Sequence, residues 1–148
     1  MQITIRSIVL TIALLLPTFA LAQSGERDAV DQAMKKLMRA FETSDPNLIQ
    51  EVLRKDGVVL GYSTSRNQVM TQTAEEWAKG FDGKPADDEA QRKRSYEILD
   101  VSGNAAVVKV MLDYPGWEGL DYLALSKIDG KWMIFSKSWN GRRKPAAQ

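Results

Sequence analysis

Val30, Ala33, Met34, Leu37, Met38 and Phe41 recur at the i, i+3, i+4, i+7 spacing that gathers apolar groups on one face of a helix. Charged Asp31, Lys35, Lys36, Arg39 and Glu42 fill the remaining positions. The run stops at Ser44-Asp45-Pro46, where Asp45 is suited to cap a second helix. Pro46 is suited to open it, since proline at the first helical position gives up no needed hydrogen bond. Leu48, Ile49, Val52 and Leu53 give that helix its buried face, and Gly57 is placed to end it. Val58-Val59-Leu60-Gly61-Tyr62 then reads as a short strand, followed by a polar turn. Thr73 and Glu76 have the spacing of a capping box, which predicts a short third helix presenting Trp77 and Phe81 from one face. Residues 82–92 read as a polar loop without periodicity.

From Lys93 to Trp139 the period shortens to two with regular breaks, the signature of an antiparallel meander. Strands are predicted at about 93–101, 105–114, 120–128 and 131–139. Asp129-Gly130 is a two-residue hairpin signal, because a type I′ turn needs positive φ at both central positions. That turn sets a register in which Ile128 faces Lys131, Leu125 faces Ile134, Leu123 faces Ser136 and Asp121 faces Ser138. One face then carries Asp121, Leu123, Leu125, Trp132, Ile134, Ser136 and Ser138. The other carries Leu120, Tyr122, Ala124, Met133, Phe135, Lys137 and Trp139. Asp121 and Lys137 share a face only if a bulge interrupts this register. Both faces are substantially apolar, and three helices cover only one of them. The outer face is therefore a predicted homodimer surface.

The segment before the first helix changes the picture of where the chain resides. Arg6, the apolar run Ile8 to Leu16 and the small-residue site Ala20-Leu21-Ala22 read as an export leader over 1–22. A membrane anchor is the alternative, but the run stops at Pro17, short of the roughly 20 residues that span a bilayer. Periplasmic or secreted localisation follows, with one domain over 23–139 and a disordered basic tail over 140–148. Removing Arg6 with the leader brings the basic residues level with the 19 acidic ones. Nothing in that balance steers toward nucleic acid or an anionic membrane.

Cysteine is absent although export permits disulfides, so packing must stabilise the fold. Its absence also removes a lipid-attachment site, which favours a soluble form over an anchored one. Histidine is absent too, excluding Ser-His-Asp triads, Cys-His dyads and histidine-based metal sites. Acid–base chemistry is left to carboxylates, Tyr, Lys or water. No phosphate-binding loop, dinucleotide fingerprint or calcium loop occurs, so neither a cofactor nor a metal is expected.

Three helices and a short strand before a four-strand meander ending in KIDGKWMIFSKSW resemble the nuclear transport factor 2-like superfamily, nearest its putative lumazine-binding and SnoaL-like groups. The residues carrying the resemblance are Gly103 to Val110, Asp121 to Leu125, Lys127 to Trp132, and Lys137, within a span of about 28–139. Members often carry a histidine near the end of the second helix. The corresponding Val52-Leu53-Arg54-Lys55-Asp56 has none, so no histidine chemistry is carried over. The resemblance implies an α+β, cone-shaped fold in which a curved antiparallel sheet wraps the N-terminal helices around a pocket. Frequent dimerisation through the outer sheet face is implied as well.

Tyr62, Trp77, Tyr114, Tyr122 and Trp139 are the aromatics placed to border such a pocket, where rings stack on a flat ligand and phenols donate hydrogen bonds. Asp121 adjoins the apolar run Leu123 and Leu125, which suits a carboxylate of raised pKa; a solvated strand-end Asp is the plain alternative. Lys137 is either an anion contact or ion-pair partner, or a lysine covering apolar surface with its stem. Asp113 is a second carboxylate, with a turn-capping role as its alternative. These features point to an exported protein binding a small apolar or aromatic ligand. An isomerase- or dehydratase-type enzyme, with Asp121 or Asp113 as base and a Tyr stabilising an oxyanion, is the alternative. An interaction module using the sheet's outer face is a third reading.

Overall fold

The protein is described from a computed structural model, over residues 16–64 and 66–145. Helix α1 spans Leu16–Thr43 and buries Val30, Ala33, Met34, Leu37 and Ala40, with Met38 and Phe41 half-buried beside them. It ends at Ser44, whose positive φ of 52° turns the chain. Asp45 then caps α2 (Pro46–Val52) by accepting from the Asn47 and Leu48 amides. Most of the leader predicted over 1–22 lies outside the described residues, and α1 begins inside its last portion. No helix among the described residues is long and apolar enough to cross a membrane.

Strand β1 (Leu53–Ser63) starts directly after α2, so Gly57 sits inside a strand instead of ending a helix. β2 (Gln68–Thr73) pairs with it antiparallel through what reads as a polar turn. Thr73 forms the expected capping box with Glu76 and opens α3 (Ala74–Ala78). A 3-10 turn at Glu89–Gln91 leads into β3 (Lys93–Ser102), β4 (Ala105–Tyr114), β5 (Trp117–Ile128) and β6 (Lys131–Arg143). The spatial order is β2-β1-β6-β5-β4-β3. All pairs are antiparallel except β1 with β6, which is parallel, so the sheet is mixed.

The fold is thus α+β, with α1 laid across one face of a curved sheet. Polar staples hold it there: Tyr96 donates to Asp31 at 2.6 Å, Trp132 donates to Glu26 at 3.0 Å, and Arg27 donates to the Ile98 carbonyl at 2.7 Å. Val108, Val110, Leu123, Leu125 and Ile134 project from that face into one buried cluster with Met34 and Leu37.

Asp129 and Gly130 both adopt positive φ, 49° and 78°, and Leu125 pairs with Ile134 as the hairpin predicts. Past that pair the register departs from expectation. Phe135 is an extra residue on β6, so Ala124 pairs with Ser136, Leu123 with Lys137, Tyr122 with Ser138 and Asp121 with Trp139. Because side chains alternate along a strand, one inserted residue exchanges the faces of everything beyond it. Ser136 and Ser138 leave the Asp121 face, and Lys137 and Trp139 join it.

The neighbouring strand is shaped to the bulge. β1 breaks its pairing with β6 between Leu53 and Val58, and a Cβ at Gly57 would lie 2.7 Å from the Phe135 carbonyl oxygen. Only glycine permits that approach. The domain also extends past 139: Asn140 to Arg143 pair with Leu120 to Trp117, so the first part of the predicted disordered tail is strand.

Candidate functional site

Beyond the bulge the inner face no longer meets α1. Val59 of β1, Met70, Thr71 and Gln72 of β2, Trp77 of α3, Trp117 and Asp121 of β5, and Lys137 and Trp139 of β6 surround a cavity of about 380 Å³. That volume lies within the range of small-ligand pockets.

Two tryptophans lie on glycine backbone. A Cβ at Gly119 or at Gly141 would overlap the Trp117 ring, and one at Gly61 would overlap the Trp139 ring. Glycine at these three inward positions gives the indoles room to lie against the strands. Trp117 also packs on Tyr114, with ring centroids 5.6 Å apart. Trp77 is held from behind by Phe41 at 6.0 Å and Phe81 at 5.3 Å, both edge-on, which ties the cavity's α3 wall to α1.

At the floor, Lys137 Nζ donates to Asp121 Oδ2 at 2.6 Å. Asp121 is 2% exposed and Lys137 8%, so the pair is withdrawn from bulk water and each charge depends on the other. The ammonium also lies 4.6 Å from the Trp77 ring centroid, over its π face. Burial pushes the Asp121 carboxyl above its ordinary value, against the opposing pull of the Lys137 charge and hydrogen bond.

Four residues singled out in the sequence, Trp77, Asp121, Lys137 and Trp139, therefore line one cavity. Three tyrosines do not. Tyr62 and Tyr122 are 47% and 46% exposed on the opposite sheet face, and the Tyr62 hydroxyl donates to Asn67. Tyr114 sits behind Trp117, where its hydroxyl accepts from Arg94 at 2.9 Å while the Arg92 and Arg94 guanidiniums lie over its ring. Burial raises the Tyr114 phenol pKa, opposed by Arg94. Asp113 lies at the surface, paired with Lys144, which holds its carboxyl below the ordinary value.

No tyrosine lines the cavity among the described residues, so the carboxylate-and-phenol pair needed for proton abstraction with oxyanion stabilisation is not assembled around Asp121. No group of three or more His, Cys, Asp or Glu residues that could hold a metal occurs among them either. Trp117 is the principal lining residue that sequence reasoning assigns elsewhere. Pro115-Gly116-Trp117-Glu118-Gly119 reads as a turn, but only Pro115 and Gly116 form it, and β5 begins at Trp117. The available signal is the alternation Trp117-x-Gly119-x-Asp121, which continues the inner face back from Leu123.

The family described as putative lumazine-binding matches residues 25–140. No curated protein matches the chain. Among solved structures, a nuclear transport factor 2-like protein of unknown function from Shewanella baltica superposes with a TM-score of 0.68 at 18% identity, covering 82% of this chain and 97% of that one. One from Methylobacillus flagellatus gives a TM-score of 0.67 at 19% identity, over 80% and 93%. The association domain of C. elegans CaMKII shares the fold at a TM-score of 0.56 and 11% identity, over 80% and 98%. Matched over most of its length, the chain belongs to the putative lumazine-binding family, and its fold is that of nuclear transport factor 2-like proteins.

Proposed function

We propose that this chain binds a small, flat, heteroaromatic molecule in the cavity beside α3. The observation that carries the reading is the lining: Trp77, Trp117 and Trp139 surround a hollow floored by the Asp121–Lys137 pair. Indole faces offer stacking area at little conformational cost, and a few buried polar groups fix orientation. The family's description names lumazine, a flat bicyclic heterocycle of the size such a lining suits. Among the described residues no phenol joins Asp121 in the cavity, which favours binding over isomerase- or dehydratase-type chemistry.

Calorimetric titration with a panel of flat heteroaromatic probes, lumazine among them, tests the proposal, with lauric acid as a flexible apolar comparison. Saturable one-to-one binding of a flat probe is expected, weakened about 5- to 150-fold in Trp117→Ala and Trp139→Ala, since stacking on one aromatic is worth about 1–3 kcal/mol. Absence of heat and of tryptophan quenching with every flat probe would overturn it.

Two further features belong to the same reading. The protein acts after export, supported by the leader pattern over 1–22; a secreted-fraction mass corresponding to cleavage after Ala22 is expected, and an intact N-terminus there contradicts it. It works as a homodimer through the outer sheet face, where Val58, Leu60, Tyr62, Val107 and Tyr122 are exposed together. Sedimentation should show a dimer that Tyr122→Asp dissociates; a monomeric wild type contradicts this.

A further inference from the structure

Asp121 and Lys137 hold hydrogen-bonding capacity that their mutual bond does not use. The ammonium has three N–H donors, of which one goes to Asp121 Oδ2. The other carboxylate oxygen, Oδ1, accepts no hydrogen bond from the described residues. No sealed side-chain nitrogen or oxygen among them lacks a partner, so Oδ1 keeps some accessible surface, and Asp121 lines the cavity. A spare acceptor and spare donors thus stand side by side at the floor.

Charge narrows what can sit on them. A cationic ligand would meet the Lys137 ammonium, which already occupies the cation position over Trp77 at 4.6 Å. An anionic ligand would meet the Asp121 carboxylate, 2.6 Å from the same ammonium. A neutral group that places an acceptor next to a donor satisfies both, and in a flat ring that group is a cyclic amide.

We propose that the ligand presents a lactam or imide edge to this pair, its ring carbonyl accepting from Lys137 and its adjacent ring N–H donating to Asp121. This rests on the flat-ligand reading above and names the chemistry that orients such a ligand between the tryptophans. The Phe135 bulge is the device that makes it possible, since without the inserted residue donor and acceptor lie on opposite faces of the sheet.

The test compares lumazine with its derivative methylated at both ring N–H groups, titrated into the full chain and into an Asp121→Asn/Lys137→Met variant checked for folding by circular dichroism. Methylation removes the donors but keeps the flat ring. Lumazine is expected to bind the wild type about 10- to 100-fold more tightly than the methylated probe, the scale of hydrogen bonds to charged groups. That preference is expected to shrink below about threefold in the double variant, because the charged partners are gone. Equal binding of both probes to the wild type would overturn the lactam assignment while leaving flat-ligand binding intact. A preference that persists undiminished in the double variant would overturn it too, by assigning the effect to methyl bulk. Binding of neither probe would overturn it, and the reading beneath it falls as well only when every other flat probe of the panel also fails to bind.

Discussion

Along β5 the inward positions run Leu125, Leu123, Asp121, Gly119, Trp117, and along β6 they run Trp132, Ile134, Lys137, Trp139, Gly141. Leu125, Leu123, Trp132 and Ile134 join Met34 and Leu37 of α1 in a filled core, while Asp121, Trp117, Lys137 and Trp139 line a hollow. One face of one sheet is thus packed at one end and open at the other, and the change comes beside the Phe135 bulge. Where α1 crosses the sheet, close packing demands aliphatic shape. Beyond it, indoles lying on glycine and a buried ion pair leave room that no helix fills.

The comparison can be broken at its polar end first. Lys137→Met leaves the Asp121 carboxylate buried without a counter-charge, and truncating one partner of a buried pair costs about 3–5 kcal/mol. Chemical denaturation at neutral pH should show that loss, and Asp121→Asn/Lys137→Met should recover most of it. The pH dependence has a definite sign. A buried carboxyl whose folded pKa exceeds its unfolded value binds more protons in the folded state, so stability rises as pH falls toward the ordinary carboxylate value. The Lys137→Met deficit should therefore narrow on acidification, and an unchanged deficit would contradict the buried pair.

At the filled end, Leu37→Ala removes a fully buried side chain and should cost about 2–5 kcal/mol by thermal or urea unfolding. Probe binding in the folded fraction should be unaffected, since Leu37 does not line the cavity. Gly119→Ala reverses that pattern. Its Cβ overlaps the Trp117 ring, so about 1–3 kcal/mol of stability is lost and flat-probe affinity falls as the indole is displaced.

The smallest effect sharpens the α1 attachment. Burial and the Asp31 hydrogen bond push the Tyr96 phenol up from 10.0 to about 12. The folded state then holds its proton longer than the unfolded state, so stability falls as pH rises from 10.0 to about 12. In Tyr96→Phe that contribution should vanish, flattening the alkaline limb of the stability curve relative to wild type.

The helices, their N-caps at Asp45 and Thr73, the meander and the Asp129-Gly130 turn were legible in the sequence because each rests on a local signal: periodicity, a capping residue, or a dipeptide with positive φ. The site was legible only in part. Trp77, Asp121, Lys137 and Trp139 stand out by residue type, but their meeting depends on a bulge at Ile134-Phe135-Ser136, where no Gly or Pro marks the irregularity. Its trace is indirect. An unbroken alternation would set Ser136 and Ser138 on the core face and leave Lys137 and Trp139 outside, which exchanges two small polar groups for the larger pair. Gly57 makes room for the bulge, yet its role shows only once β1 is known to lie against β6, a pairing between segments far apart in the chain. Residue type alone points Tyr62 and Tyr122 toward the cavity, but the strand pleat turns both to the other face.

The cavity floor exists only if Lys137 has crossed to the Asp121 face. Proton–proton Overhauser contacts across the β5–β6 hairpin measure this directly. Backbone contacts are expected for the Tyr122–Ser138 pair, with side-chain contacts between Lys137 and the Trp77 indole. Backbone contacts pairing Asp121 with Ser138, together with Lys137 side-chain contacts to the Tyr122 ring, would contradict it.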